Sequence, residues 1–253
     1  IIKNRLNVNN CGECGHSFTL AQKNQQERYN VDYFENSRKN WFKHPDYRLF
    51  KMIKKYIVGN RILDVGCGNG NFMSSLSSNY YCVGIDLDAP INDLGNNRKF
   101  IKSDFMQFNF KKEKFDTIVS LSTIEYVEDP IKFIKKIKKI LRKNSKLIIT
   151  TPNNDSLLFK IARFLDRCGM NVAYDRIYNK YDLQHFNINS ISLLLSKFNL
   201  KIGKIIKYNN SFKTIDVPND NTIYKLLVYF IYFFSELIGQ QTFIMIVAQN
   251  KNS

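Results

Sequence analysis

Residues 62–70 read Ile-Leu-Asp-Val-Gly-Cys-Gly-Asn-Gly, so an acid, Asp64, stands two places before three glycines, Gly66, Gly68 and Gly70, set at alternate positions. An apolar run of this kind can form a buried strand, and glycines directly after it let the backbone turn tightly and approach a ligand where a Cβ would clash. A second apolar run, Tyr81 to Ile85, ends on Asp86. An acid about twenty residues after a glycine turn can accept both hydroxyls of a ribose. A third run, Phe100-Ile101-Lys102-Ser103-Asp104-Phe105, closes on an acid followed by an aromatic. The turn is not of the dinucleotide type, which wants glycines at the first, third and sixth places, because the sixth place here is Asn71. With no pyrophosphate to hold, the turn offers the carboxylate of Asp64 to a cation.

These residues need strands that end at one edge of a sheet. Phe115-Asp116-Thr117-Ile118-Val119-Ser120 reads as a fourth strand and Lys146 to Asn153 as a fifth, with a sixth near Lys201 to Tyr208 and a last at Thr242 to Gln249. Strands alternating with helical stretches predict an α/β, doubly wound, mostly parallel sheet, and 253 residues are enough for one such core with appendages. Asn187 reads as the cap of a helix, 188–198, with Ile191, Leu194 and Leu195 facing in.

The acid with Gly-x-Gly-x-Gly, followed by acids at the ends of the second and third strands and by the Phe115-Asp116 pair, resembles the class I S-adenosylmethionine-dependent methyltransferases. The likeness is to the small-molecule, sugar or ubiquinone-type O-methyltransferase group and covers roughly residues 45–210. It implies a Rossmann-like seven-stranded sheet with an antiparallel last strand and helical cap insertions. It also implies S-adenosyl-L-methionine as cofactor, held by Asp64, Gly66, Cys67, Gly68, Asn69, Gly70, Asp86, Leu87, Ser103, Asp104, Phe105, Ser120 and Leu121. Asp64 matches the acid near the methionyl amino group, Asp86 the ribose acceptor and Asp104 the adenine contact.

The chemistry should sit at the carboxyl ends of the strands, at the switch point between the first and fourth. There, Leu121-Ser122-Thr123-Ile124-Glu125-Tyr126-Val127-Glu128-Asp129-Pro130 resembles a family segment ending Leu-Glu-His-Val-x-Asp-Pro, with Glu125 matching the acid. Two acids and the histidine can hold a divalent metal in ubiquinone-type enzymes, but Ser122 and Tyr126 replace two of them, so no metal is expected. Residues 154–184 form an insert expected to cap the acceptor site. Its end, Tyr181 to Asn187, resembles a Glu-His-Leu-x-His/Tyr-Phe-Ser segment of sugar and small-molecule methyltransferases, with Asp182 in place of the first histidine. His185 is then a candidate general base, with Glu125 its competitor and a structural role for either left open.

The expected organisation is a partial zinc-ribbon-like knuckle at 1–20, a helical lid at 21–57 and the methyltransferase domain at 58–250, with an aromatic helical insert at 212–240. The knuckle is Cys11-Gly-Glu-Cys14-Gly-His16, short of the four ligands of a closed zinc site, its counterpart expected outside this sequence. The lid would use Tyr29, Tyr33, Phe34, Trp41 and Phe42 as anchors beside Arg38 and Arg48. Five cysteines and no leader at the start of this sequence predict a reducing, cytoplasmic setting.

A net charge of +16 would suit nucleic acid, but the lysines are scattered. The densest group, Lys132, Lys135, Lys136, Lys138 and Lys139, should form the solvated face of a helix whose Ile131, Ile134, Ile137 and Leu141 point inward. The Asn/Asp-Pro-Pro-aromatic sequence of base-amine methyltransferases is absent after the fourth strand. The expected partner is therefore a small-molecule, sugar or glycan acceptor rather than nucleic acid, with an RNA methyltransferase and a non-catalytic cofactor-fold subunit as alternatives. Residues 223–238 are aromatic but interrupted by Lys225 and Glu236, too short to span a bilayer. They are expected to pack in the domain, join two copies, or lie peripherally on the inner membrane face.

Overall fold

The computed structural model describes residues 8–20, 40, 43–90, 95, 97–178, 181–217 and 221–251. The proposed lid anchors Tyr29, Tyr33, Phe34, Arg38, Trp41 and Phe42 lie outside the described residues. The chain forms two compact units.

The first unit, drawn from 47–151, 191–206 and 245–253, carries the main sheet. Its strands are β3 (Arg61–Val65), β4 (Tyr81–Asp86), β5 (Arg98–Lys102), β6 (Phe115–Leu121), β7 (Leu141–Pro152), β9 (Leu200–Tyr208) and β10 (Phe243–Asn250). They lie in the order β5-β4-β3-β6-β7-β10-β9, so the connection reverses direction between β3 and β6. This is a Rossmann-like sheet, mostly parallel with antiparallel last strands. Strand β3 is central because Ile62, Leu63 and Val65 are apolar on both faces, and it pairs in parallel with both β4 and β6. Strand β5 stops at Lys102, two residues earlier than the acid expected to close it, which leaves Ser103, Asp104 and Phe105 in the loop beyond.

Helix α1 (Tyr47–Lys54) buries Leu49, Phe50 and Ile53, and the short α2 (Asn71–Ser74) follows the glycine turn and buries Phe72 and Met73. Helix α3 (Pro130–Ile140) starts where the sequence signals it: Asp129 accepts the N–H of Lys132 at 2.9 Å and proline occupies the first turn. It buries Phe133, Ile134, Ile137 and Ile140. Its lysines are not one solvated face, and Ile131 is exposed. Lys132, Lys135 and Lys139 are exposed, but Lys138 donates to Asn250 Oδ1 at 2.5 Å and Lys136 folds back onto the loop after β5. A four-carbon stem reaches backbone carbonyls that helical spacing alone does not reveal.

The second unit gathers the described residues within 1–46, 152–190 and 207–244. Strands β1 (Val8–Asn10) and β2 (Ser17–Thr19) form a hairpin around Cys11 and Cys14, and β2 pairs with β8 (Gln184–His185). The stretch 154–184 contains α4 (Leu157–Arg167) and α5 (Val172–Ile177). Helix α6 (Ile188–Ser196) begins in this unit and ends in the first; Asn187 caps it, its Oδ1 accepting the N–H of Ser190 at 2.8 Å. Helix α7 (Thr222–Leu237) is capped by Asn221, whose side chain accepts from Ile223 and Tyr224. Among the described residues no helix is long and apolar enough to cross a membrane.

Candidate functional site

The turn after β3 is built from left-handed backbone: φ is +76° at Gly66, +51° at Gly68 and +80° at Gly70. At Gly66 space as well as angle demands glycine, since a Cβ there would stand 2.2 Å from Thr123 Oγ1. That hydroxyl donates to the carbonyl of Val65 at 3.0 Å, tying the end of β3 to the end of β6. The neighbouring Ser122 carries a strained φ of +49° and its N–H reaches the carbonyl of Thr150 at 3.0 Å. Sequence reasoning does not single out Thr123 or Gly84. A Cβ at Gly84 would meet Met73 Sδ at 2.5 Å and Cys67 Sγ at 2.8 Å, so this glycine lets α2 and the turn settle on β4. No motif marks either residue, because each is needed by a neighbour distant in sequence.

Hydrogen bonds draw the expected cofactor residues to one edge. The N–H of Gly66 donates to the carbonyl of Ile85 at 2.8 Å, and the N–H of Gly68 to Asp86 Oδ2 at 2.9 Å. Asp86 Oδ1 accepts the N–H of Asp88 at 3.0 Å, and the carbonyl of Asp86 accepts that of Ser103 at 3.0 Å. Asp104 Oδ1 takes the N–H of Met106 at 2.7 Å. Asn69 and Leu87 are exposed along this edge, Cys67 and Phe105 buried, Leu121 half-buried. Burial pushes the Cys67 thiol upward, so it is a packing group and not a nucleophile.

Asp64 carries the decisive electrostatics. Its side chain is buried, and Oδ1 has no hydrogen-bond donor among the described residues. Burial first, and the Asp86 carboxylate second, push its carboxyl up to about 8. Such a group is satisfied by a cation or an N–H donor, and the ammonium of a methionyl moiety is one. Asp86 and Asp104 add carboxylate acceptors along the same edge, groups of the kind that ribose hydroxyls and an exocyclic amine bond. The residues fit S-adenosylmethionine.

Beyond this edge, Lys136 Nζ donates to the carbonyls of Met106 at 3.0 Å and Phe108 at 2.6 Å and stands 5.2 Å from the centre of the Phe105 ring. It fastens the loop that bears Asp104. Ser120 is buried at the end of β6, its Oγ without a hydrogen-bond partner among the described residues. Glu125 lies on a single 3₁₀ turn, Ile124–Tyr126, just past β6, and is 2% exposed.

His185 does not have the surroundings expected of a general base. It sits in β8, its Nε2 2.9 Å from Thr19 Oγ1 and its ring edge-on to Tyr178 at 4.9 Å. Burial, with a smaller contribution from His16, pulls its imidazole down to about 3. A weakly basic, bonded ring has the surroundings of a packed structural histidine, one of the two roles the sequence left open. Its neighbour His16 pairs with Gln184 Oε1 at 2.8 Å and packs on Phe186. At the knuckle, backbone N–H groups of Cys14 and Glu13 lower the Cys11 thiol. Among the described residues, no three His, Cys, Asp or Glu side chains gather where they could hold a metal ion.

The family described as "Methyltransferase domain" matches residues 22–204. The chain is 26% identical over 118 residues to the ubiquinone biosynthesis O-methyltransferase of Coxiella burnetii, covering 42% of this chain and 50% of that protein. It is 30% identical over 97 residues to a probable tRNA methyltransferase 9B of Homo sapiens, covering 38% and 21%. It superposes on an S-adenosylmethionine-dependent methyltransferase of Thermotoga maritima with a TM-score of 0.58 at 17% identity, covering 89% and 98%, a likeness of fold. The chain spans about half the length, or less, of several curated relatives that it matches.

Proposed function

This chain belongs to the methyltransferase domain family, and from that premise we propose that it methylates a hydroxyl on a sugar, glycan or other small metabolite at the expense of S-adenosylmethionine. The observation that carries the reading is Asp64, a buried carboxyl with an oxygen lacking a donor among the described residues, directly before a turn whose Gly68 N–H is held by Asp86. When bound, S-adenosylmethionine supplies a methyl group already activated on a sulfonium sulfur. The chain's own residues then have three tasks. Asp64, Asp86 and Asp104 fix the two ends of the cofactor, the strained turn at Ser122 and Thr123 shapes the floor beside it, and a carboxylate takes the proton the acceptor loses. We assign the last task to Glu125, because it stands past β6 at the switch point, whereas His185 is held neutral in a separate sheet.

An O-acceptor is favoured by the sequence likeness to an O-methyltransferase of ubiquinone biosynthesis. Calorimetry with S-adenosylhomocysteine and with NAD tests the cofactor; binding of the first and not the second is expected, and the reverse sinks the reading. Methyl transfer from labelled S-adenosylmethionine to sugar nucleotides, lipid-linked glycans and phenolic quinone precursors then tests the acceptor. The net charge of +16 and the likeness to a tRNA methyltransferase favour RNA as the second reading. Binding to RNA that weakens steeply with salt, with methyl transfer to it, would put that reading first.

A further inference from the structure

Helix α7 is amphipathic the wrong way round for a helix that completes a core. The residues it buries are Tyr232 and Ser235, and the serine is polar and bonded, Asn209 Nδ2 donating to its Oγ at 3.0 Å. On the opposite face, at spacings of four, three and four, stand Leu226, Phe230, Phe233 and Leu237, flanked by Ile223, Leu227, Tyr229 and Phe234. Each of these eight is 50–67% exposed. Phe212, itself exposed, packs 5.0 Å from the Tyr229 ring and extends the apolar surface. A single soluble surface rarely leaves so many large apolar groups together without a purpose.

Lysines stand beside the same helix. Lys160 donates to Gln240 Oε1 at 3.0 Å and Lys207 to the carbonyl of Gly239 at 2.7 Å, just past the carboxyl end, while Lys213 follows Phe212, whose ring packs on Tyr229 and Tyr232 midway along the helix. All three are exposed, and Glu236 is the one acid in the helix. Sixteen residues reach about 24 Å, short of the roughly 30 Å hydrocarbon layer, so the helix can lie in a bilayer surface but not cross it. Charge selects the occupant. Two copies of a chain bearing +16 repel one another, whereas a surface of anionic lipid attracts the chain and accepts the aromatic face.

We propose that the outward face of α7 docks on an anionic lipid surface, with Leu226, Phe230, Phe233 and Leu237 entering the interface and Lys160, Lys207 and Lys213 meeting the headgroups. The docking stands on the helix alone; only its corollary, that the methyl acceptor is a membrane-borne, lipid-linked molecule, rests on the methyl-transfer reading.

Co-sedimentation with vesicles of phosphatidylcholine, and of phosphatidylcholine with phosphatidylglycerol, tests it on the full chain. The wild type should bind the anionic vesicles and barely the neutral ones. The triple variant Leu226→Gln, Phe230→Gln, Leu237→Gln should lose partitioning by about tenfold or more per side chain removed, with unchanged melting temperature and S-adenosylhomocysteine affinity. Lys160→Gln with Lys207→Gln and Lys213→Gln should weaken binding to anionic vesicles alone. A wild type that stays in solution with anionic vesicles overturns the proposal, as does a triple variant that binds equally well. A lipid-free dimer dissolved by the triple variant, with no vesicle binding, would assign the face to a second copy instead. Vesicle binding by a chain that fails to bind S-adenosylhomocysteine would leave the docking standing and remove the methyl-transfer reading.

Discussion

Asp86 Oδ2 accepts the backbone N–H of Gly68 at 2.9 Å, so the acid that ends β4 also holds the turn that follows β3. Its Oδ1 is engaged by Asp88 in the same way. A carboxylate oxygen can accept more than one hydrogen bond, so Asp86 can shape the turn and still receive a ribose. The two duties cannot be separated by deleting the side chain.

Asp86→Ala should therefore weaken S-adenosylhomocysteine binding by roughly 1.5–3 kcal/mol, the range for a hydrogen bond to a charged group, measured by calorimetry. Asp86→Asn keeps an acceptor for Gly68 but loses the charge, and should fall between alanine and wild type. Unchanged affinity in the alanine variant removes Asp86 from the site.

Asp64 sets a pH dependence. Its folded-state carboxyl lies at about 8 against an ordinary 3.8, so between these values the folded chain holds a proton that the unfolded chain has lost. Its contribution to stability is full below 3.8 and is lost as pH rises toward about 8. Asp64→Asn should flatten that fall in melting temperature while abolishing tight cofactor binding. Wild-type binding of S-adenosylhomocysteine at neutral pH should release a proton, detected as a dependence of the heat on buffer ionisation enthalpy; equal heats in all buffers would contradict it.

Glu125 and His185 should separate in kinetics. Glu125→Gln should slow turnover by about 10²- to 10⁴-fold with cofactor affinity preserved, the usual span of general-base catalysis. His185→Ala should instead lower the melting temperature and leave turnover within a few-fold. The His185 imidazole is pulled from 6.5 to about 3, so its contribution is present above 6.5 and lost as pH falls toward 3. A large loss of turnover in a fully folded His185→Ala would return the base to this residue.

Lys136 fastens the loop that bears Asp104 through the carbonyls of Met106 and Phe108. Lys136→Met should raise the dissociation constant for S-adenosylhomocysteine by about tenfold, from the loss of two hydrogen bonds to carbonyls of 106 and 108. Lys136→Arg should restore most of it. Equal affinities in wild type and Lys136→Met would make this lysine a surface group.

Much of the glycine turn and the sheet edge around it was legible in the residues alone. Three glycines after Ile62, Leu63 and Val65 admit few backbones other than a strand and a tight turn, and acids at strand ends mark where that edge lies. Fold class, cofactor and family follow from such local patterns, because each depends on residues within one strand and its following loop. The register of neighbouring strands then brings Gly68, Asp86 and Ser103 within hydrogen-bonding distance, which no single segment could state.

What the tertiary structure decided were properties owed to distant neighbours. His185 has the residue type and local motif of a base, yet β2 comes from far earlier in the chain to pair with its strand, and the burial there strips its basicity. Lys136 sits in a lysine run that reads as solvated, yet its stem reaches the loop beyond β5. Thr123 and Gly84 carry no signal at all until packing shows what would collide with them. The apolar residues of α7 announce a helix in sequence, but only the fold shows that their widest face turns outward. Local propensity and periodicity act over a few residues, whereas pKa, exposure and steric need are set by whatever the rest of the chain places alongside.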